Sequence, residues 1–260
     1  MTTTTTRSRC DGLLIVSNEN NTTLGTIKIV QQMEVGDDNY NNQYTIWNYI
    51  YHYNNGYYYN KYDWFHLSDD NAFVIVDNLK LYLQSNEIQQ ACKFGILTKE
   101  EEDEATTNTI YQIPLLLGQR YAVYGNMSDI FVSGGPGSTI NKAALKLLIL
   151  DGLSKYHTTK RTRYSDYIIS KIFQQLNVLP YDTRDDNDGS ERYNSFTPRI
   201  HWTYRPPKPT VKDWYPSYYI GPHIWGKDHC SIHSVGFHYI KKTDEQLRLY
   251  ALLYGMCTFT

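Results

Sequence analysis

The stretch Tyr62-Asp63-Trp64-Phe65-His66-Leu67-Ser68-Asp69-Asp70-Asn71-Ala72-Phe73-Val74-Ile75-Val76-Asp77-Asn78-Leu79 decides how this chain folds. Trp64 to Leu67 reads as a short buried strand, Ser68 to Asn71 as a polar corner, and Phe73 to Val76 as a second apolar run. A helix is expected to open near Asp77-Asn78, since both residues cap helix N-termini well. Acids just past the carboxyl end of a strand lie where α/β sheets bind ligands. Adjacent Asp69 and Asp70 repel each other unless solvent or a cation compensates. The corner therefore reads in two ways, as a seat for a divalent metal carrying a phosphate or as a solvated turn.

Working outward, Gly12-Leu13-Leu14-Ile15-Val16 is a continuous apolar run, expected as a strand buried on both faces of a parallel sheet. It should neighbour Trp64 to Leu67. Leu24 to Val30 suggests a further strand. Tyr44 to Tyr51 carries large residues at helical spacing, and Asn54-Asn55-Gly56 is expected to stop that helix. Downstream, Ser133-Gly134-Gly135-Pro136-Gly137 lets backbone approach a ligand closely, and a helix starts near Asn141. The loop is neither a P-loop nor a dinucleotide fingerprint, and a tight strand-to-helix connection accounts for its pattern as well. Tyr164-Ser165-Asp166-Tyr167 opens a helix with the stripe Ile168, Ile169, Ile172, Phe173, and Ser165 or Asp166 would serve as its N-cap. Residues 205–222, rich in proline and aromatics, predict a stiff irregular loop. Ser234 to Ile240 is strand-like, and Thr243 with Gln246 forms a capping-box pattern ahead of a helix to Tyr254.

The 260 residues suit one large α/β domain or two small ones. The organisation expected is a disordered polar tail at 1–9 and a single domain at 10–256, with an acidic insertion loop at 98–109. A net charge of -2 offers nucleic acid no electrostatic footprint. Cys10, Cys92, Cys230 and Cys257 include no CxxC pair, so a zinc ribbon is disfavoured and two disulfides are permitted without being shown. Asn20-Asn21-Thr22-Thr23 and Asn126-Met127-Ser128 match N-glycosylation acceptors, a pattern frequent by chance in such a chain. No apolar run approaches the ~20 residues that span a bilayer, and Met-Thr-Thr-Thr-Thr-Thr is no signal peptide, so the chain as written is expected to be soluble.

Several motifs then line up with one family in one order. Asp63-Trp64-Phe65, Asp69-Asp70-Asn71 and Val74-Ile75-Val76-Asp77-Asn78-Leu79 resemble the D-W-F-x-K-A-D-D-D-T-Y-V-I-x-D-N-L segment of core 1 β1,3-galactosyltransferases, which are glycosyltransferases of family 31 with a Fringe-like fold. Ser133 to Gly137 with Asn141-Lys142-Ala143-Ala144-Leu145-Lys146 resembles their S-G-G-A/P-G-Y-V-L-S/N-K-E-A-L-K. Asp182-Thr183-Arg184-Asp185, Gly189, Glu191-Arg192, Phe196, Pro198 and His201 resemble D-T-R-D-x-x-G-R-E-R-F-H-P-F-x-P-E-H-H. Trp214-Tyr215, Cys230-Ser231, Val235 and Phe237-His238-Tyr239 resemble the terminal W-Y…C-C-S-D-x-A-V-S-F-H-Y.

The resemblance implies a GT-A-like nucleotide-sugar fold, α/β with a mostly parallel central sheet, and inverting transfer of galactose from UDP-galactose to O-linked N-acetylgalactosamine on a glycoprotein. It implies Asp166 as general base and manganese, or another divalent ion, at Asp70, Asn71 and His238. Donor and sugar binding would fall to Asp69, Asp70, Gly134, Gly135, Trp214 and Tyr215. A homo-oligomer is compatible with it, and localisation would be the lumenal side of the Golgi membrane. Four departures stand out. Asn71 replaces the last acid of D-D-D, Ser165 replaces the Glu of an E-D pair, and His229-Cys230 replaces paired cysteines. The family's first strand and helix, with its membrane anchor, are expected to be missing. Two other readings follow: a non-catalytic member that binds a glycan or a partner enzyme, and a sister hexosyltransferase with a different donor.

Overall fold

In the computed structural model, residues 9–29, 43–93, 112–156, 164–208 and 211–255 are described. Residues 1–8 of the polar tail, Val30, the acidic stretch at 98–109 and Cys257 lie outside them.

The decisive stretch forms strand β3 (Trp64–Leu67), with the bounds its apolar run predicts. Its side chains alternate between two cores, as a pleat requires. Phe65 faces Trp47, Leu145 and Phe173, which come from helices α1 (Gln43–Lys61), α4 (Lys142–Leu147) and α5 (Ser165–Gln175). Trp64 faces the opposite cluster of Leu79, Tyr82 and Ile88 on α2 (Val76–Leu83) and α3 (Asn86–Ala91). Helices thus cover both faces of a small central sheet, and the fold is mixed α/β.

That sheet is not the parallel one expected. Its order is β3-β8-β5, with β5 at Leu116–Leu117 and β8 at Ser138–Asn141. Both pairings are antiparallel, in the register Phe65↔Ile140 and Leu116↔Ile140. Among the described residues the parallel pairs are β1 (Ile15–Ser17) with β2 (Thr26–Lys28) and β9 (Tyr193–Asn194) with β10 (Gly236–Phe237). The apolar run at Gly12 to Val16 does not neighbour β3. It contributes to the separate two-stranded ribbon, and Leu13 is 40% exposed. A short apolar run reports burial only loosely and carries no information on its partner. The remaining strands are β4 (Phe73–Val74), in the sheet β4-β10-β9, and β6 (Arg120–Ala122) with β7 (Ile130–Val132).

Several expected caps do not form. Helix α2 starts at Val76, so Asp77 lies in its first turn, where it pairs with Arg9, and Asn78 donates to the Ser234 carbonyl at 2.9 Å. Thr243 opens α8 (Thr243–Tyr254) without capping it, and Gln246 donates to the carbonyls of Ile240 and Asp70. Asn141 does cap α4, accepting from the Ala144 N–H at 2.9 Å. The helix break at Asn54-Asn55-Gly56 is present. All three residues take positive φ, and the helix resumes through Lys61. Two further short helices are α6 (Pro198–Thr203) and α7 (Trp214–Tyr218). The second lies within the expected irregular loop, started by the Asp213 carboxylate accepting from the Tyr215 N–H at 3.0 Å.

Candidate active site

The corner after β3 is tied to the end of the chain. Asn71 accepts from the Ile240 N–H at 2.8 Å, and Ile75 donates to the Val235 carbonyl at 2.7 Å. Strand β10 hydrogen-bonds to β4, and His238, just past it, donates its N–H to the Asn194 carbonyl at 3.0 Å. These bonds bring His238 Nε2 to 3.5 Å from Asp69 Oδ2. Asp69 rather than Asp70 faces the imidazole. Two polar atoms here, His238 Nε2 and Asn71 Oδ1, are buried without any hydrogen-bond partner. Buried orphans of this kind are rare and costly in folded proteins, and an amide oxygen, an imidazole nitrogen and carboxylates form a donor set that suits a divalent ion. By donor type these residues suit such an ion. Among the described residues no group of three or more His, Cys, Asp or Glu side chains could hold a metal; the set here reaches three donors only by counting the Asn71 amide.

The glycine loop lies between His238 and Asp166. A Cβ on Gly135 would fall 2.2 Å from His238 Nδ1, so the ring packs directly on its backbone. Gly134 donates its N–H to Asp166 Oδ2 at 2.9 Å, and a Cβ there would meet both Gln43 and Asp166. The other Asp166 oxygen accepts from the Tyr167 N–H at 2.8 Å. Asp166 thus turns toward the loop rather than back onto the amides of Ile168 or Ile169. Burial raises its carboxyl pKa most, and the nearby Asp69 charge adds to this, while the N–H groups of Gly134 and Tyr167 pull it down.

The two expected platform residues separate. Trp214 is 52% exposed, but Tyr215 is 2% exposed and bonds through its hydroxyl to His229 Nε2 at 3.1 Å. Tyr215 therefore belongs to the aromatic core and offers no face to a ligand. Neighbours on a short helix point about 100° apart, so adjacent aromatics rarely share a role. Trp214 is ringed by Tyr121, Tyr215, Tyr218 and Phe196, the last at 6.0 Å, and Tyr239 stacks on Phe196 at 5.8 Å and 14°. Tyr239 in turn lies 4.0 Å from the His238 ring, is 42% exposed and takes φ +61°. Phe196 and Tyr239 enter from sequence only as motif letters of the resemblance and Gln43 not at all, and the left-handed backbone of Tyr239 has no local signal, because such a conformation in a non-glycine residue is set by its surroundings.

No protein-family model matches the chain. It is 28% identical over 194 residues to glycoprotein-N-acetylgalactosamine 3-beta-galactosyltransferase 1 of Xenopus laevis, covering 75% of this chain and 46% of that relative. The chain is similar to this galactosyltransferase. It spans about half the length of the curated relative it matches.

His229 stands where the resemblance places a cysteine. It is buried, bonds through Nδ1 to the Ile224 carbonyl at 2.8 Å, and stacks on His201 at 4.4 Å. Cys10, Cys92 and Cys230 are free thiols. Among the described residues no helix is long and apolar enough to cross a membrane.

Proposed function

We propose that this chain transfers galactose from UDP-galactose to O-linked N-acetylgalactosamine on a glycoprotein, with inversion. One observation carries the reading: Asp166 and the His238–Asp69–Asn71 corner flank the same glycine loop. Inversion needs a base on one face of the reacting carbon and the leaving group on the other, and the loop is the place where a sugar can meet bare backbone between them. Asp166, its carboxyl raised by burial, would take the proton from the acceptor hydroxyl. His238, Asn71 and Asp69 would hold manganese, which when bound neutralises the diphosphate and makes UDP a better leaving group. Trp214, continued by Phe196 and Tyr239, would support a sugar face. The name of the Xenopus relative supports donor, acceptor and linkage, and a lumenal Golgi setting follows from the same reading.

The test incubates the 260-residue chain with UDP-galactose, manganese and a GalNAc-bearing peptide, and identifies the product linkage. The expected product is β1,3-linked galactose. Transfer from another UDP-hexose in preference to UDP-galactose would replace this reading with the sister specificity. A folded chain that binds UDP and manganese without turnover would replace it with the non-catalytic reading, which Asn71 in place of an acid favours.

A further inference from the structure

The break in α1 carries a second feature, unconnected with the corner. Asn54, Asn55 and Gly56 all take positive φ and turn the chain, so that Tyr59 returns beside Tyr51 with ring centroids 4.7 Å apart at 53°. Between the two halves lies an open surface hollow of about 300 Å³, lined by Tyr51, His52, Asn55, Gly56, Tyr59 and Asn60. We propose that this hollow is a binding site for a neutral sugar ring, a hexose or N-acetylhexosamine.

The lining sets the ligand class. A sugar ring has an apolar C–H face and a rim of hydroxyls, and it needs aromatic faces beside amide donors and acceptors. Tyr51 and Tyr59 supply the first; Asn55 and Asn60 supply the second, with the Asn60 amide donating to the Asn55 carbonyl at 3.3 Å and its oxygen turned away from that bond. His52, set edge-on to Tyr51 at 4.9 Å, adds a further ring. No carboxylate, lysine or arginine lines the hollow, which disfavours cations and phosphates. The nearby Lys142 donates to the Asn60 carbonyl at 3.5 Å and lies 5.0 Å from the Tyr59 ring centre, so its charge is engaged at the wall. The volume is at the lower end of small-molecule pockets, about 300 to 1,000 Å³.

The position suggests a use, and that use alone rests on the glycoprotein-acceptor reading. Tyr51 lies about 12 Å along the helix from Gln43, whose side chain abuts the Gly134 loop. About four residues of extended peptide cover that span. A sugar already present on the acceptor could anchor there while a neighbouring residue reaches the corner.

The experiment measures saturation transfer from the full chain to methyl α-GalNAc and methyl β-galactoside, without UDP. The parent should give signal, a His52→Ala/Asn60→Ala variant should lose at least ten-fold in affinity, and Asp166→Asn should bind as the parent does. His52 and Asn60 are exposed, so the double variant should keep the parent's unfolding midpoint. Tyr59→Phe, which keeps the ring, serves as a second variant and should retain binding. Absence of signal at millimolar sugar, or signal lost with Asp166→Asn but kept in the His52/Asn60 variant, overturns the proposal. Binding needs no turnover, so failure of galactose transfer leaves this result readable.

Discussion

At the scale of single residues, the two sides of the glycine loop make separable predictions. Asp166→Asn keeps shape and, with its one oxygen toward Gly134, that hydrogen bond, while it gives up the bond from Tyr167 and removes the proton acceptor, so transfer should fall by ~100-fold or more while UDP affinity holds. If Asp166 merely helped to start α5, the change would be nearly silent, since Asn serves a helix N-terminus about as well. A variant retaining most of the parent's activity would remove Asp166 as the base. Gly135→Ala acts on the other side. The added methyl cannot coexist with the His238 ring 2.2 Å away, and that ring is confined by Tyr239. Manganese affinity, followed by electron paramagnetic resonance, should weaken by at least ten-fold in Gly135→Ala, with a loss of stability of about 1 to 3 kcal/mol from the overpacked contact. Unchanged affinity would show that His238 is not a ligand.

At the scale of elements, Asn141 joins three pieces of the fold. Its side chain accepts from the N–H groups of Ala144 and Leu115 and donates to the Ile113 carbonyl at 2.6 Å, all with the residue fully buried. Asn141→Ala loses a cap and leaves buried backbone groups unpaired, so it should cost about 2 to 4 kcal/mol in urea unfolding. A loss under about 1 kcal/mol would mean that water replaces the side chain. That Asn141 opens a helix was legible locally, as were the bounds of β3 and the break in α1, because each rests on residue types within one turn or strand. Direction and partner of the strands were not legible, since β3 pairs with a segment some seventy residues away and nothing in four apolar residues encodes that choice. The same limit applies to the site. Asp69, Asp70 and Asn71 declare themselves by chemistry, whereas His238 reads from its own neighbours as an ordinary core histidine and enters only through the family resemblance. The burial of Tyr215 beside an exposed Trp214 depends on how α7 docks, which two adjacent aromatic letters do not specify.

At the scale of the whole molecule, buried titratable groups set the response to pH. Burial holds His66 down to about 4, and it lowers His229 and His201, the latter further depressed by the His229 charge. The folded state refuses protons that the unfolded chain accepts, so this stability is present above about pH 6.5 and is lost as pH falls. Glu191 works in the opposite sense. Burial pushes it up to about 7, against Arg184 and Arg120, so its contribution is lost as pH rises from 4.5 to 7. Between pH 6 and 5 three histidines oppose one carboxyl, so the net contribution of these groups to stability falls as pH falls. Urea midpoints at pH 7, 6 and 5 check this, and equal stability at pH 7 and 5 would contradict it. The sheet β4-β10-β9 has a further consequence, for biosynthesis. Phe73 and Val74 find their partner only when residues 236 and 237 have been made, roughly 10 to 30 s after the corner itself is synthesised, at the usual pace of translation. Until then the nascent chain holds an unpaired strand edge beside Ile75 and Val76, so a ribosome stalled before residue 236 carries the acidic corner without its histidine and with an apolar flank open to chaperones.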